Sequence, residues 1–526
     1  MLKKLYYLNL FFYLFFITSP SLFYYINQGS ITPYLPFFIS LQILLITIPL
    51  PVFQIKYKTY VILLIPFFIL SLCHWANFSV YRFELAEGAM LSIIATNINE
   101  TYEFLKLIPN YYFIFLSFIV LNLCFLLIAQ QPKNRLKNKT TVIFIITIVI
   151  IVAPKFYKSY KDGIDVLKLT FPARNITYIH GAYELYTDYQ DDLQKMDGAD
   201  YSVSTPEENL KSIHVLVIGE SARRKNFSLY GYKRDTNPLL MSKRKELTIF
   251  DNIYSASNST VMSLRWSLSK KVGKQVITIP KLFQKAGFQS IWLSNQGQFG
   301  ENLNATSALA LTAEEAIFIN NSDFGSMSYD ERLVPILKEK TTNENAQFIV
   351  LHLLGSHFHY NRRYPQSFNQ FKSSPPRTDQ LKAEQIKIIN EYDNSILYTD
   401  FILSNIINHL KTIGRPVTLT YFSDHGEILY DGDAESYGHG GGKHPTEEEL
   451  KIPFLFWANN QYYELFKNKK SFLETMKSKK FSTVDFVSFY TTLLDIQIND
   501  IQLPEIDHNQ IYFYNSRGSR TLFEEK

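Results

Sequence analysis

Apolar and polar positions divide the chain near residue 157. Before it, Phe, Leu, Ile and Tyr form five long runs with few charges, at approximately 5–26, 31–52, 58–77, 111–130 and 140–156. A bilayer core of about 30 Å takes roughly 20 helical residues at about 1.5 Å each, so every run reaches or approaches the length of a membrane-spanning helix. The first follows Lys3 and Lys4 as a signal sequence would. No small-residue cleavage site follows it and another run begins almost at once, which predicts a retained helix. Between 157 and 212, "FPARNITYIHGAYELYTDY" gives way to the polar "DDLQKMDGADYSVSTPEEN", a pattern of interfacial helices followed by a linker.

From Ile213 the period shortens. Brief apolar runs (HVLVIG, QSIWLS, EAIFIN, AQFIVLHLL, VTLTYFS, IPFLFWAN) alternate with helix-period segments such as TIPKLFQKAGF and SILYTDFILSNIINHLK. This alternation predicts an α/β domain over 213–526, with parallel strands, crossover helices and ligands gathered at the carboxyl ends of the strands. The expected architecture is an α/β class chain: a five-helix transmembrane domain over 1–156, then an α/β/α sandwich.

Charge orients the first domain. Lys3 and Lys4, then Lys56 and Lys58, then Lys133, Arg135, Lys137 and Lys139 fall on one side of five spans, which marks the cytoplasm, while the 78–110 loop carries Glu84, Glu87, Glu100 and Glu103. An odd number of spans puts the C-terminal half outside the inner membrane; one buried or re-entrant run would reverse it. The spans carry almost no ionisable residue apart from His74, which gives no support to a transporter. The net charge of +5, without an arginine-rich stripe, predicts no nucleic-acid partner. Both cysteines, Cys73 and Cys124, lie in the apolar half, so a metal in the other half must use His, Asp, Glu or hydroxyl ligands.

The chemistry begins at "HVLVIGESARR", where a strand ends in an acid and a hydroxyl. Ser221 is not the nucleophile of a G-x-S-x-G elbow, because Arg223 stands where the second glycine belongs. Glu220 follows one predicted strand, His357 another, and Asp424 and His425 a third. Glu, Asp and His from separate strand ends make an oxygen and nitrogen site suited to Zn²⁺ or Mn²⁺, which would activate a hydroxyl and polarise phosphoryl oxygens. The plain alternative is that "SDHGE" is a strand-to-loop turn with capping Asp and Gly.

Six segments in order, "VIGESARRKNFSLYGYKRDTNPLL", "YSASNSTVMSLRWSLS", "LSNQG", "LLGSHFHYNRRYP", "YDNSILYTD" and "YFSDHGEILYD…GHGGGKHPTEEELKIPFLFW", resemble the membrane-bound phosphoethanolamine transferases of the alkaline phosphatase and sulfatase superfamily. The likeness covers nearly the whole chain and is greatest to the branch acting on lipopolysaccharide core sugars. It implies that Glu220, Asp424, His425 and Thr260 hold zinc, with Thr260 as nucleophile and Ser221 a neighbour that orients the loop. It implies that His357 and His439 hold the substrate phosphate or a second zinc, with His444, His352 and His359 as rivals, His439 being preferred to His444. Thr96 and Glu100, in "MLSIIATNINETYEF", match the segment that reaches the ethanolamine head group, although Ser92 stands where relatives commonly have Asn.

The resemblance implies a donor, phosphatidylethanolamine, a lipopolysaccharide acceptor, and a multi-pass inner-membrane protein with a periplasmic catalytic domain. Lipid A-modifying relatives usually have disulfides in that domain, and this chain can form none there, so a core sugar is the preferred acceptor. Direct metal coordination and a helix beginning after "SNST" would both assist a threonine nucleophile; an ordinary N-cap role for Thr260 is the alternative. Rival readings of the whole chain are a phosphoglycerol transferase of the lipoteichoic-acid type and a non-catalytic envelope-binding homologue. A sulfatase activity lacks its Cys/Ser-x-Pro-x-Arg motif around Thr260.

Overall fold

The computed structural model describes residues 2–27, 56–81, 90, 98–130, parts of 176–191, and 201–524 apart from 274, 298–304, 321–326, 378–379, 433–435, 441–444, 500 and 516–518. Two compact units emerge, Met1–Met90 with Phe104–Glu184, and Leu91–Glu103 with Leu185–Lys526. The division at Glu184 falls inside the stretch read as interfacial helices and linker.

In the first unit, helix α1 (Leu2–Asn27) packs with α2 (Tyr57–Leu63), α3 (Ile65–Tyr81) and α5 (Asn110–Ile128), around Tyr6, Tyr13, Val61, Phe68 and Leu126. Interhelical polar bonds supplement the packing: Tyr13 Oη donates to the Val61 carbonyl at 2.9 Å and Asn122 Nδ2 to Asn9 Oδ1 at 2.7 Å. α1 and α5 are each long and apolar enough to span a bilayer. The run at 58–77 is a pair, α2 and α3, bent by 49°, either a broken span or a re-entrant loop. Pro66, just inside α3, has no N–H to continue the ladder across the break. Among the described residues the count is therefore two spans, or three if the bent pair is one, rather than the expected five, because 31–52 and 140–156 lie outside the described residues. Glu100 belongs to α4 (Ile98–Leu107) by its backbone, whereas its side chain and Thr96 fall outside the described residues, as does Ser92.

The second unit is built on a seven-stranded sheet. Its strands are β1 (Ile213–Gly219), β2 (Leu247–Phe250), β3 (Gln289–Ser294), β4 (Glu315–Phe318), β5 (Gln347–His352), β6 (Val417–Ser423) and β7 (Phe454–Ala458). They lie in the order β2-β7-β6-β1-β5-β3-β4. Every neighbouring pair from β6 to β4 is parallel, while β7 runs antiparallel to both β6 and β2. The wholly parallel sheet expected from the alternation is thus corrected to a mixed one, and the "LTIF" strand β2 was not foreseen. Hydropathy reports burial; it carries no information about strand direction.

The central strand is buried throughout, and apolar apart from His214, because both faces are covered. Leu216 and Ile218 enter one core with Leu264, Leu268 and Phe486–Leu493, while Ile213, Val215 and Val217 enter the other with helix α7 (Ala383–Leu410). The strand's two-residue period puts alternate side chains on opposite faces, giving the expected sandwich of helices on both sides of a sheet.

Candidate active site

Register brings the chemistry together. Gly219 pairs with Ser423, and Ile218 with His352, which in turn pairs with Ser294, so β6, β1, β5 and β3 end side by side. Beyond those ends come Asp424 and His425, Glu220 and Ser221, Leu353–His357, and Asn295 and Gln296. Two close approaches require glycine. A Cβ on Gly355, whose φ is +50°, would stand 2.8 Å from the Glu220 backbone, and one on Gly426 would stand 2.0 Å from the Glu448 carbonyl.

Thr260 is the first residue of α6 (Thr260–Leu268); Ser259 takes the N-cap, without a side-chain cap bond. The N-cap alternative for Thr260 is therefore excluded by its position, and its hydroxyl is left at the positive end of the helix dipole. Ser255 and Ser263 hydroxyls both donate to the Asp424 carbonyl, which registers this helix over the end of β6.

Thr260 Oγ1 lies 3.2 Å from His425 Nε2 and 3.3 and 3.4 Å from the Glu220 carboxylate oxygens. His425 Nε2 lies 3.3 Å from Asp424 Oδ2 and 3.6 Å from Glu220 Oε1. Tetrahedral zinc with bonds of about 2.0–2.1 Å separates its ligand atoms by about 3.3–3.4 Å, so the spacing fits that ion. Three further observations support the fit. Asp424 Oδ1 accepts from the Ser221 and His425 amides at 2.9 and 2.7 Å, whereas the equally buried Oδ2 has no hydrogen-bond partner. His425 Nδ1 faces the Gly426 carbonyl at 2.8 Å and must donate there, which leaves the Nε2 lone pair toward the cluster. Burial, and then the Asp424 charge, push the Glu220 carboxyl well above the usual range. Two carboxylates facing each other out of water call for a cation between them.

Around this cluster, Ser221 sits in the left-handed region with φ 54° and donates its hydroxyl to Glu220 Oε1 at 2.7 Å. The His439 ring lies 3.9 Å from that of His425, centroid to centroid, and its Nδ1 meets Glu427 Oε2 at 2.7 Å. Burial alone would lower the His439 pKa, but the Glu427 carboxylate outweighs it and raises the value. Glu427 also accepts from the Tyr360 hydroxyl. His357 is half-buried on the loop after β5, its pKa held well down by burial and then by the charges of Arg363, His439 and His425. Of the rivals, His352 is packed in the core against Trp292, His359 starts a short turn on the same loop, and His444 lies outside the described residues.

Glu427, Gln296 and Glu449 were missed by the sequence reading. Glu427 stands in SDHGE and Gln296 in LSNQG, both quoted segments, but their partners are distant in sequence. Glu449 belongs to a capping box with Thr446, a pattern legible in "TEEE". Its second oxygen accepts from Asn258 Nδ2 at 2.8 Å and the Gly440 amide at 3.2 Å, joining the loop before Thr260 to that of His439.

The sulfatase family profile matches residues 212–496, more than half of the chain. Escherichia coli phosphoethanolamine transferase EptC is 28% identical over 429 residues, covering 74% of this chain and 72% of its own. Helicobacter pylori phosphoethanolamine transferase EptA is 38% identical over 274 residues, half of each chain. Among solved structures, the integral membrane lipooligosaccharide phosphoethanolamine transferase EptA of Neisseria meningitidis superimposes with a TM-score of 0.71 at 18% identity, over 94% of this chain and 95% of its own. The zinc complex of the periplasmic domain of E. coli EptC superimposes with a TM-score of 0.56 at 24% identity, over 62% of this chain and 95% of that domain. The last two establish the fold. The chain belongs to the sulfatase family, and curated relatives such as E. coli EptC and H. pylori EptA are phosphoethanolamine transferases.

Proposed function

We propose that this protein transfers phosphoethanolamine from phosphatidylethanolamine to a lipopolysaccharide acceptor, a core sugar in preference to lipid A. Thr260 Oγ1 attacks the phosphorus, the bond to the diacylglycerol oxygen breaks, and diacylglycerol leaves with a proton. An acceptor hydroxyl then attacks the phosphoethanolamine-threonine ester and restores Thr260. Glu220, Asp424, His425 and Thr260 would hold zinc, which when bound lowers the pKa of a hydroxyl and draws charge from phosphoryl oxygens.

The chain's own groups supply the rest. The dipole of α6 favours negative charge at Thr260. His439, oriented and kept basic by Glu427, donates to the phosphoryl oxygens and passes a proton to the leaving oxygen, and His357 faces the same charge. Thr96 and Glu100 receive the ethanolamine head group. Anchoring in the inner membrane with the catalytic domain in the periplasm confines donor and acceptor to one leaflet and raises their effective concentration.

The observation that carries this reading is the cluster of Thr260, Glu220, Asp424 and His425 at tetrahedral spacing, with the Asp424 Oδ2 lone pairs unmatched. Thr260→Ala should leave the protein folded and remove the phosphoethanolamine mass from isolated lipopolysaccharide. An unchanged glycolipid mass spectrum would overturn the assignment.

A further inference from the structure

The segment "LSNQG" follows β3, and no role assigned so far uses it. Gln296 Nε2 donates to Glu220 Oε2 at 3.3 Å and to the Leu353 carbonyl at 3.0 Å, while the Gln296 amide donates to Ser294 Oγ at 3.0 Å. The preceding residue, Asn295, is buried: its amide donates to the His352 carbonyl at 2.9 Å and its Nδ2 to Asp330 Oδ1 at 2.8 Å. Asp330 in turn accepts from the Leu354 and Gly355 amides at 2.8 and 2.9 Å. The end of β3 is thus pinned to the loop after β5, and the Gln296 amide group has little freedom to leave Glu220.

Glu220 needs such a partner. The last torsion of a glutamate is broad, so rotamer preference alone leaves the carboxylate plane free to turn. Here each oxygen has its own donor, Ser221 Oγ on Oε1 and Gln296 Nε2 on Oε2, and both lie near Thr260 Oγ1. Two donors, one on each oxygen of a planar group, fix the plane; one would leave it a hinge.

We propose that Gln296 is a positioning residue for the metal centre: its amide, anchored on the Leu353 carbonyl, sets the plane of the Glu220 carboxylate and so the affinity of the site for zinc. The inference rests on the metal reading of the site. Ligand-orienting partners of this kind typically change metal affinity by about 10–100-fold when removed. Gln296→Met keeps the side chain's length and removes the donor.

The test is zinc competition between a chromophoric chelator and the full-length, detergent-solubilised protein, for the wild type, Gln296→Met, Gln296→Ala and Glu220→Ala. The expected result is stoichiometric zinc in the wild type, affinity weaker by about 10–100-fold in both Gln296 variants, and loss of tight binding in Glu220→Ala. Thermal melts of the stripped proteins should coincide for wild type and Gln296→Met, which separates orientation of a ligand from damage to the fold; if Met does not fold, Ala carries the comparison. Wild-type affinity in both Gln296 variants, with Glu220→Ala impaired, overturns this inference and leaves the metal reading intact. Absence of zinc from the wild type, or its retention by Glu220→Ala, overturns both.

Discussion

The two ends of β1 treat buried polar groups in opposite ways. At its start, His214 is fully buried between Asn209 Oδ1 and Thr418 Oγ1, each 2.9 Å from a ring nitrogen. Every partner is neutral and every lone pair is matched, and burial takes the histidine pKa down to about 3. Past its end, Glu220 and Asp424 are equally buried, face each other, and leave Asp424 Oδ2 unpaired. A fold gains nothing from that second arrangement unless something positive joins it, whereas the first is ordinary core satisfaction. Burial of a titratable group is therefore uninformative by itself, and the unmatched charge identifies the working end of the sheet.

The comparison can be broken at either end. The largest expected effect is from Asp424→Asn, which should cut turnover of the donor lipid by at least about 10²–10³-fold. It should also raise the melting temperature of the metal-stripped protein by relieving repulsion with Glu220, and a lower melt would contradict the claim that this end strains against its own charge. Next, Asp330→Ala strips the Leu354 and Gly355 amides and Asn295 of their shared acceptor, and should cost roughly 3 kcal/mol in chemical denaturation together with activity.

At the quiet end, the effect is a pH slope. Folded His214 stays neutral down to about pH 3, whereas the unfolded histidine takes a proton near 6.5, so its contribution is present above 6.5 and is lost as pH falls toward 3. His214→Gln should flatten the stability profile in that window by about 1.4 kcal/mol per pH unit, read from denaturation midpoints across the range. The smallest effect is at Ser221, whose φ of 54° glycine tolerates better. Ser221→Gly gains about 1 kcal/mol of backbone relief and loses the buried hydroxyl bond to Glu220, so stability should change by less than about 1 kcal/mol while transfer slows.

Much of this was legible in the chain. HVLVIG, AQFIVLHLL and VTLTYFS reveal themselves as buried strands, and the acids and histidines just past their ends include Glu220, Asp424 and His425, which the fold brings together. The antiparallel course of β7 was hidden, because an apolar run such as FLFWA looks the same in either direction. Glu427 was hidden for a different reason: its partners, Tyr360 and His439, lie 67 and 12 residues away, and a carboxylate in a loop has no periodicity to betray a buried role. The break between α2 and α3 shows the same limit, since composition measured the length of the apolar run and not its straightness.

The pairing of Gly219 with Ser423 spans most of the catalytic domain, so the groups that converge beyond those strands meet only when a late segment of the polypeptide docks beside an early one. A nascent molecule that has emerged only as far as Thr260 has that hydroxyl and one acid, without the aspartate and imidazole that complete the cluster. Unfinished copies therefore lack an assembled site until the late segment has docked.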